Sequence, residues 1–206
     1  MIYILGRFIC FCFCKVFFRF RIFDRHKIPR SGSLIIASNH ASFLDPIIIG
    51  VASPRALNFM ARHSLFRNKV FGWLLRGLNT FPVNREGSAL SAFKEALRIL
   101  REQKALVVFP EGTRTQDGSL RKAHSGVGLL AVKTGSTVVP VYVDGTKDAL
   151  PRGAYFIRVK PIKIYCGKPI KPGDSLKQEG ENSYQSFADS VMESISALRL
   201  KALKKG

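Results

Sequence analysis

Acidic residues are scarce in this chain. Fourteen Asp and Glu stand against 33 Lys and Arg among 206 residues, which gives a formal net charge of +19. A charge of this size says nothing about fold, but it predicts attraction to polyanions such as nucleic acid, an anionic membrane or a phosphorylated substrate. The hydrophobic fraction of 46% and the charged fraction of 23% are ordinary for a globular protein, and they exclude a disordered or collagen-like chain.

Several common sequence signatures are also missing. The chain has neither the G-x-x-x-x-G-K-[ST] phosphate-binding loop nor the G-x-S-x-G nucleophile motif. It has four cysteines and no C-x-x-C pair, so we interpret them as small hydrophobic residues in a reducing compartment. Residues 126–131 match G-x-G-x-x-A but do not follow an apolar strand, which favours close helix packing over dinucleotide binding.

The N-terminal segment, residues 1–23, lacks acidic residues and holds eight of the 22 aromatic side chains. A membrane-spanning helix needs about 20 mostly apolar residues, and Arg7 and Lys15 interrupt this one. On a helix, Arg7, Lys15, Arg19 and Arg21 share one arc of about 160°, opposite a face rich in Phe and Ile. That pattern is typical of a helix in the membrane interface, while a core helix and a tilted span with snorkelling ends remain open.

We therefore divide the chain into two parts: a membrane-associating segment over residues 1–24 and a catalytic domain over residues 25–206. If this division is correct, removal of residues 1–23 should release the protein from membranes and leave the rest intact. The expected location is the cytoplasmic face of the cell membrane, with monotopic attachment.

Beyond residue 24 the sequence alternates between strand-like and helix-like stretches. The predicted strands are Leu34–Ala37, Ala56–Ala61, Phe81–Val83, Ala105–Phe109, Thr137–Val143 and Phe156–Tyr165. The predicted helices are one starting at Pro46 with Asp45 as its N-cap, then Ser64–Leu78, Ser88–Gln103, Ser125–Lys133 and Ser183–Ala202. This alternation indicates an α/β fold, a mainly parallel sheet flanked by helices.

Polar clusters follow three of the predicted strands, at the positions where parallel sheets hold their sites. In the first cluster, His40 can act as a general base and Asp45 can orient it. In the other two, Arg85 and Arg114 offer planar groups that suit a phosphate. From the residues alone other interpretations stay open: Asp45 as a simple helix cap and each arginine as a solvated surface charge.

Four ordered blocks carry a family resemblance. They are Asn39-His40-x-Ser42-x-x-Asp45, Phe81-Pro82-Val83-Asn84-Arg85, Phe109-Pro110-Glu111-Gly112-Thr113-Arg114 and Val139-Pro140-Val141. In this order they resemble the glycerolipid acyltransferases, most of all the bacterial 1-acylglycerol-3-phosphate acyltransferase type. The chain departs from the family pattern at Asn79, where glycine is frequent, and at Thr115, where serine is frequent.

The resemblance implies transfer of a fatty acyl group from acyl-CoA or acyl-carrier protein to the free hydroxyl of lysophosphatidic acid. His40 would take the hydroxyl proton, and Asp45 would orient and charge-balance His40. The residues implied in binding the glycerol phosphate are Arg85, Glu111, Gly112, Thr113 and Arg114. Neither a cofactor nor a metal is implied, and the Val139–Val141 block would support the pocket.

The expected partners are therefore the acyl donor, lysophosphatidic acid and an anionic membrane surface. Another lysophospholipid or lyso-lipid acceptor is the alternative within this class. A basic nucleic-acid-binding protein would also explain the charge, but no nucleic-acid-binding motif occurs in the sequence. We expect no nucleic acid partner, because the aromatic residues concentrate in the apolar N-terminal segment.

Overall fold

The computed structural model describes residues 2–83, 89–173 and 181–204. The helices in this part of the chain are α1 (Ile2–Phe18), α2 (Asp45–Ala52), α3 (Lys69–Gly77), α4 (Ala89–Arg101), α5 (Gly126–Thr134), α6 (Thr146–Ala149) and α7 (Glu181–Leu203). The strands are β1 (Arg21–Phe23), β2 (Leu34–Ser38), β3 (Phe59–Arg62), β4 (Thr80–Val83), β5 (Ala105–Val108), β6 (Thr137–Asp144) and β7 (Lys163–Cys166).

The main sheet has five strands in the order β1-β7-β6-β2-β5. Every neighbouring pair is parallel except β6 with β7. A second parallel pair, β3 with β4, is joined to the β5 edge by a bridge between Asn58 and Leu106. The predicted α/β fold with a mainly parallel sheet is confirmed.

The interior strand β2 is buried along its whole length, because helices cover both faces of the main sheet. Leu34 and Ile36 pack into a core with α1 and α2, whereas Ile35 and Ala37 pack into a second core with α4, α5 and α7. The alternation follows the two-residue period of a strand. A continuous apolar run therefore marks a strand between two helical layers, as predicted for residues 34–37.

Gly128 explains the small-residue motif at residues 126–131. A Cβ atom at this position would lie 2.0 Å from the carbonyl oxygen of Tyr184 at the start of α7. Only glycine permits α5 and α7 to approach this closely. The interpretation of the motif as a helix-packing feature is confirmed.

The N-terminal segment has both a core face and an exposed face. Cys14, Phe18 and Phe20 are almost completely buried, and α1 packs against α2 and α3. The opposite side of α1 exposes a set of large apolar side chains: Ile4, Leu5, Phe8, Ile9, Phe11, Phe13, Val16 and Phe17. Among the described residues, no helix combines the length and the apolar composition that crossing a bilayer requires.

Helix α1 ends before two of the four basic residues that the sequence placed on its polar face. It ends at Phe18, Arg19 has a φ of +43°, and Arg21 lies in the edge strand β1, paired in parallel with β7. Arg7, in turn, donates to the carbonyl oxygen of Ser53 at the end of α2. The predicted placement of four basic residues on one helical face is therefore wrong. Removing residues 1–23 would take an edge strand and core side chains with it, so we no longer expect the remainder to stay intact.

Two other predictions of secondary structure differ from the structure. The helix predicted over Ser64–Leu78 is interrupted: residues 63–66 form a 3-10 turn, and α3 starts afresh where the side chain of Asn68 accepts from the amide of Phe71. The strand predicted over Phe156–Tyr165 is regular only from Lys163, where pairing with β6 begins. Phe156, Ile157 and Val159 are exposed, whereas Ile162, immediately before the strand, is buried in the core.

The cysteines are free thiols. Burial raises the pKa of Cys14 to about 11 and that of Cys166 to about 12, so both stay protonated at neutral pH. These two side chains act as small hydrophobic core residues, as the sequence predicted.

Candidate active site

The site lies at one edge of the sheet because β2, β5 and β6 are parallel. Their carboxyl ends lead into the loop with His40, the loop with Glu111 and Arg114, and the short helix α6. Two hydrogen bonds join the first two loops: the amide of Thr115 donates to the carbonyl oxygen of His40, and the amide of His40 donates to Glu111 Oε1.

Asp45 is completely buried and accepts four hydrogen bonds. Its Oδ2 atom accepts from His40 Nδ1 at 2.9 Å and from the amides of Ala41 and Ser42 at 2.7 Å each. Its Oδ1 atom accepts from Thr146 Oγ1 at 2.6 Å. Four donors compensate for the loss of hydration that a buried carboxylate suffers.

The predicted N-cap role of Asp45 is wrong. Helix α2 starts at Asp45 itself, Leu44 occupies the cap position, and no side chain caps the helix. The carboxylate instead folds back onto the two amides that precede the helix. This position turns the residue away from the helix and towards His40.

His40 is held so that its second ring nitrogen is available. Because a carboxylate only accepts, its bond to Nδ1 places the hydrogen there and leaves the lone pair on Nε2. The ring stacks on Phe109, with centroids 3.9 Å apart and 16° between the planes. The side chain retains 18% exposure, so a substrate can reach it. The pair has the geometry of a general base with an orienting acid.

Glu111 has its two carboxylate oxygens directed at backbone amides. Oε1 accepts from His40 and Oε2 from Arg121, both at 3.0 Å, and the residue is only 3% exposed. Burial raises the pKa of Glu111, and the two amide bonds oppose that rise. The residue predicted to bind the acceptor thus connects the His40 loop to the segment before α5.

The basic part of the site surrounds Thr113. The guanidinium of Arg114 lies 3.5 Å above the ring of Phe43, beside the His40 loop. Arg121 Nη1 donates to Thr113 Oγ1 at 3.4 Å. Gly112 has a φ of +69°, and a Cβ there would lie 3.0 Å from the imidazole of His124. Arg114, Arg121 and His124 therefore approach one loop, and the last two were not predicted.

Comparisons with known proteins identify the family. The family model described as Acyltransferase matches residues 19–144. The chain belongs to the acyltransferase family. It is 26% identical to the 1-acyl-sn-glycerol-3-phosphate acyltransferase of Bacillus subtilis over 183 residues, 88% of each chain. It is 29% identical to the enzyme of that name from Streptococcus pneumoniae over 158 residues, 75% of this chain and 57% of the other.

A solved structure is also similar. The crystal structure of the 1-acyl-sn-glycerophosphate (LPA) acyltransferase from Thermotoga maritima superposes with a TM-score of 0.77 at 25% identity. The match covers 94% of this acyltransferase and 79% of the other chain.

Three residues of this acyltransferase support the site through contacts that the sequence did not reveal: Thr146, which was not predicted, and Asn39 and Ser42, which belong to the first motif block. Thr146 donates to the Asp45 carboxylate from 101 positions away, and no spacing rule connects the two residues. Ser42 donates to the carbonyl oxygen of Leu150, which ties the His40 loop to the end of α6. The side chain of Asn39 bonds both backbone groups of Val143 and continues the ladder between β2 and β6.

The remaining predicted residues are accounted for as follows. Arg85 lies outside the described residues. Val139 and Val141 are buried in β6 beside β2, as expected for a supporting block. Asn79, which departs from the family's glycine, has a φ of +56°, a conformation that asparagine tolerates better than most residues.

Proposed function

We propose that this acyltransferase moves a fatty acyl chain from acyl-CoA or acyl-carrier protein to the free hydroxyl of 1-acylglycerol-3-phosphate. The product is phosphatidic acid. The proposal depends mainly on one observation: partly exposed His40 is oriented by buried Asp45 and lies beside the basic loop around Thr113. The names of the similar proteins from B. subtilis and T. maritima support the same acceptor.

The proposed reaction proceeds without a covalent enzyme intermediate. His40 Nε2 takes the proton of the acceptor hydroxyl as its oxygen attacks the thioester carbonyl carbon. The carbon–sulfur bond then breaks, and the imidazolium returns the proton to the departing thiolate. Asp45 stabilises the imidazolium through Nδ1, so the charge that develops on His40 is balanced throughout.

We assign two different roles within the loop that follows β5. Arg114 and Thr113, with Gly112 allowing close backbone approach, bind the acceptor phosphate, and Arg85 joins them. Glu111 is a positioning residue, because its oxygens are directed at the amides of His40 and Arg121. If the Glu111 carboxylate pointed at the acceptor phosphate instead, the two negative charges would repel each other.

The decisive test of the acceptor is a product assay. Purified protein is incubated with acyl-CoA and with acyl-carrier protein, each combined with lysophosphatidic acid, lysophosphatidylcholine and lysophosphatidylglycerol, and products are identified by mass spectrometry. We expect phosphatidic acid as the main product. Preferential acylation of a different lyso-lipid would select the alternative acceptor class.

Replacing Arg114 with alanine should raise the KM for lysophosphatidic acid about 10- to 100-fold. The phosphate would lose a charge-assisted hydrogen-bonding partner, worth about 1.5–3 kcal/mol. Initial rates at varied acceptor and saturating donor measure the effect. The KM for the acyl donor should change little, and an increase confined to the donor would reassign Arg114 to the CoA or carrier phosphates.

Arg101→Ala is the matched control for this variant. Arg101 is an exposed arginine at the end of α4, which leads into the start of β5 and therefore lies at the opposite edge of the sheet. The Arg101→Ala substitution removes the same formal charge as Arg114→Ala, so any effect of total charge on binding of anionic lipid appears in both variants. We expect Arg101→Ala to leave the acceptor KM unchanged.

We further propose that the exposed side of α1 binds an anionic membrane. Ile4→Ser combined with Phe8→Ser should lower binding to vesicles by at least about tenfold, because each apolar side chain buried in the interface contributes about 1.5–3 kcal/mol. Flotation with vesicles of phosphatidylcholine and phosphatidylglycerol measures it. Binding of the wild type should decrease only in part as salt rises, since salt screens only the basic residues.

The control for the membrane variant is Leu200→Ser combined with Leu203→Ser. Both leucines are exposed, but they lie on α7, in the layer that covers the other face of the sheet. This control should float like the wild type. An equal loss of vesicle binding in both double variants would argue against an apolar contact through α1. Complete release of the wild type from vesicles by salt alone would argue against it too.

A further inference from the structure

A second exposed apolar element lies between α6 and β7. Residues 152–160 form a segment that we call the aromatic loop. Tyr155 is 94% exposed, Phe156 is 85% exposed and Val159 is 68% exposed. Ile157 is also exposed. Single exposed apolar residues are ordinary, but four large ones within five positions indicate a surface that contacts something apolar.

Hydrogen bonds attach this loop to the candidate active site on one side. The amide of Arg158 donates to the carbonyl oxygen of Ala149, and Ser42 Oγ donates to that of Leu150. Ala149 and Leu150 end the short helix whose Thr146 holds Asp45. Helix α6 therefore contacts both the loop, through Ala149, and the Asp45 carboxylate, through Thr146.

The other end of the loop is attached to α1. The amide of Ile162 donates to the carbonyl oxygen of Phe18, and the amide of Arg21 donates to that of Ile162. Because β7 runs antiparallel to β6, with Lys163 beside Asp144, the whole segment stays at the edge where His40 lies. The aromatic loop thus connects the catalytic edge to the end of the helix with the exposed apolar face.

The charges of the loop identify its partner. Arg152, Arg158 and Lys160 flank the aromatic side chains, and residues 152–160 include no acidic residue. Aromatic side chains flanked by lysine and arginine are typical of segments in the interface of an anionic bilayer. Phe43, in the His40 loop, and Ile47, in the first turn of α2, are also exposed apolar side chains near the His40 pair in sequence.

We propose that the aromatic loop inserts into an anionic membrane as a second contact besides α1. The two contacts set the orientation of the protein, with the edge that bears His40 against the lipid interface. The inference rests on the proposed function, since a lipid acceptor would then enter the site from the bilayer. An acidic carrier protein would match the basic side chains, but it would not cover the apolar surface that continues along α1.

Depth-dependent quenching tests the insertion directly. Because the chain has a single tryptophan, Trp73→Phe supplies a background for Phe156→Trp in the full-length protein. Vesicles of phosphatidylcholine and phosphatidylglycerol with brominated acyl chains should quench the indole fluorescence of this variant. Leu200→Trp in the same background is the control on α7, and we expect no quenching there. Absence of quenching at position 156 while the protein is vesicle-bound would overturn the proposal.

Removal of the aromatic side chains tests the contribution of the loop. Tyr155→Ser combined with Phe156→Ser should weaken vesicle binding at least about tenfold, with an unchanged melting temperature because both side chains are in solvent. Turnover of a short-chain, water-soluble lysophosphatidic acid should be retained. Unchanged vesicle binding together with a higher KM for acyl-carrier protein would instead identify a carrier-docking loop, and it would overturn the membrane assignment.

These measurements separate the two proposals. Vesicle binding and quenching do not require turnover, so they hold or fail whichever lyso-lipid is acylated. If the protein acylated no lysophosphatidic acid but quenching at position 156 were strong, the proposed function would fail and the membrane contact would stand.

Discussion

Replacing His40 with alanine is expected to reduce kcat for acyl transfer by 10²–10⁴-fold, the range typical of a lost general base. The neighbouring Asp45 is a poor substitute base, because its carboxylate is buried and already accepts four hydrogen bonds. The assay measures initial rates of phosphatidic acid formation at saturating donor and acceptor. Near-normal turnover with several donors would contradict the proposed mechanism.

Two controls make this result specific. Melting temperature and vesicle binding should stay close to those of the wild type, because the His40 ring is partly exposed and Asp45 keeps three of its four hydrogen-bond donors. His26→Ala removes an exposed histidine from the turn after β1, at the opposite edge of the sheet. That variant should retain full activity.

The second large effect is expected for Asp45→Asn. The amide oxygen can still accept from His40 Nδ1 and the two backbone amides, and the new NH₂ group can donate to the hydroxyl of Thr146. The fold should therefore survive, while the negative charge that stabilises the imidazolium is lost. We expect kcat to fall by about 10²–10⁴-fold, the scale seen when an orienting carboxylate becomes an amide.

Comparison with Asp45→Ala separates catalysis from folding. Alanine leaves the buried amides of Ala41 and Ser42 without their acceptor, at a cost of about 1–3 kcal/mol each, so this variant should also melt at a lower temperature. Asp45→Asn should lose activity with a much smaller change in melting temperature. If the two variants lost stability in parallel, Asp45 would be a structural residue and the assignment of its charge to catalysis would be wrong.

The location of the candidate site could be predicted, because it depends only on short sequence patterns. A buried run such as Leu34–Ala37 indicates a strand between two layers, and polar residues that follow parallel strands must meet at one edge. This reasoning brings His40, Glu111 and Arg114 together without coordinates. It does not reveal that Glu111 faces two backbone amides, because side-chain direction within a loop depends on the other loops around it.

The N-terminal segment shows where periodicity alone is insufficient. Phe, Ile and Cys surround the helix on nearly all sides, so a hydrophobic pattern cannot say which side meets the core. The structure places Cys14 and Phe18 inward and leaves Phe8 and Val16 outward. The core interpretation describes one side of α1, and the interfacial interpretation stays a prediction for the exposed apolar side.

Three features can be read from the amino-acid sequence without coordinates: the α/β class, the order of the four motif blocks, and a histidine followed by an aspartate five residues later. They can be read because each depends on short-range patterns. Three others needed the folded chain: Asp45 orients His40 instead of capping α2, Thr146 donates to Asp45, and residues 152–160 are exposed between α1 and the candidate site. Hydrogen bonds and exposure between distant segments depend on which strands pair, and a one-dimensional pattern does not contain that information.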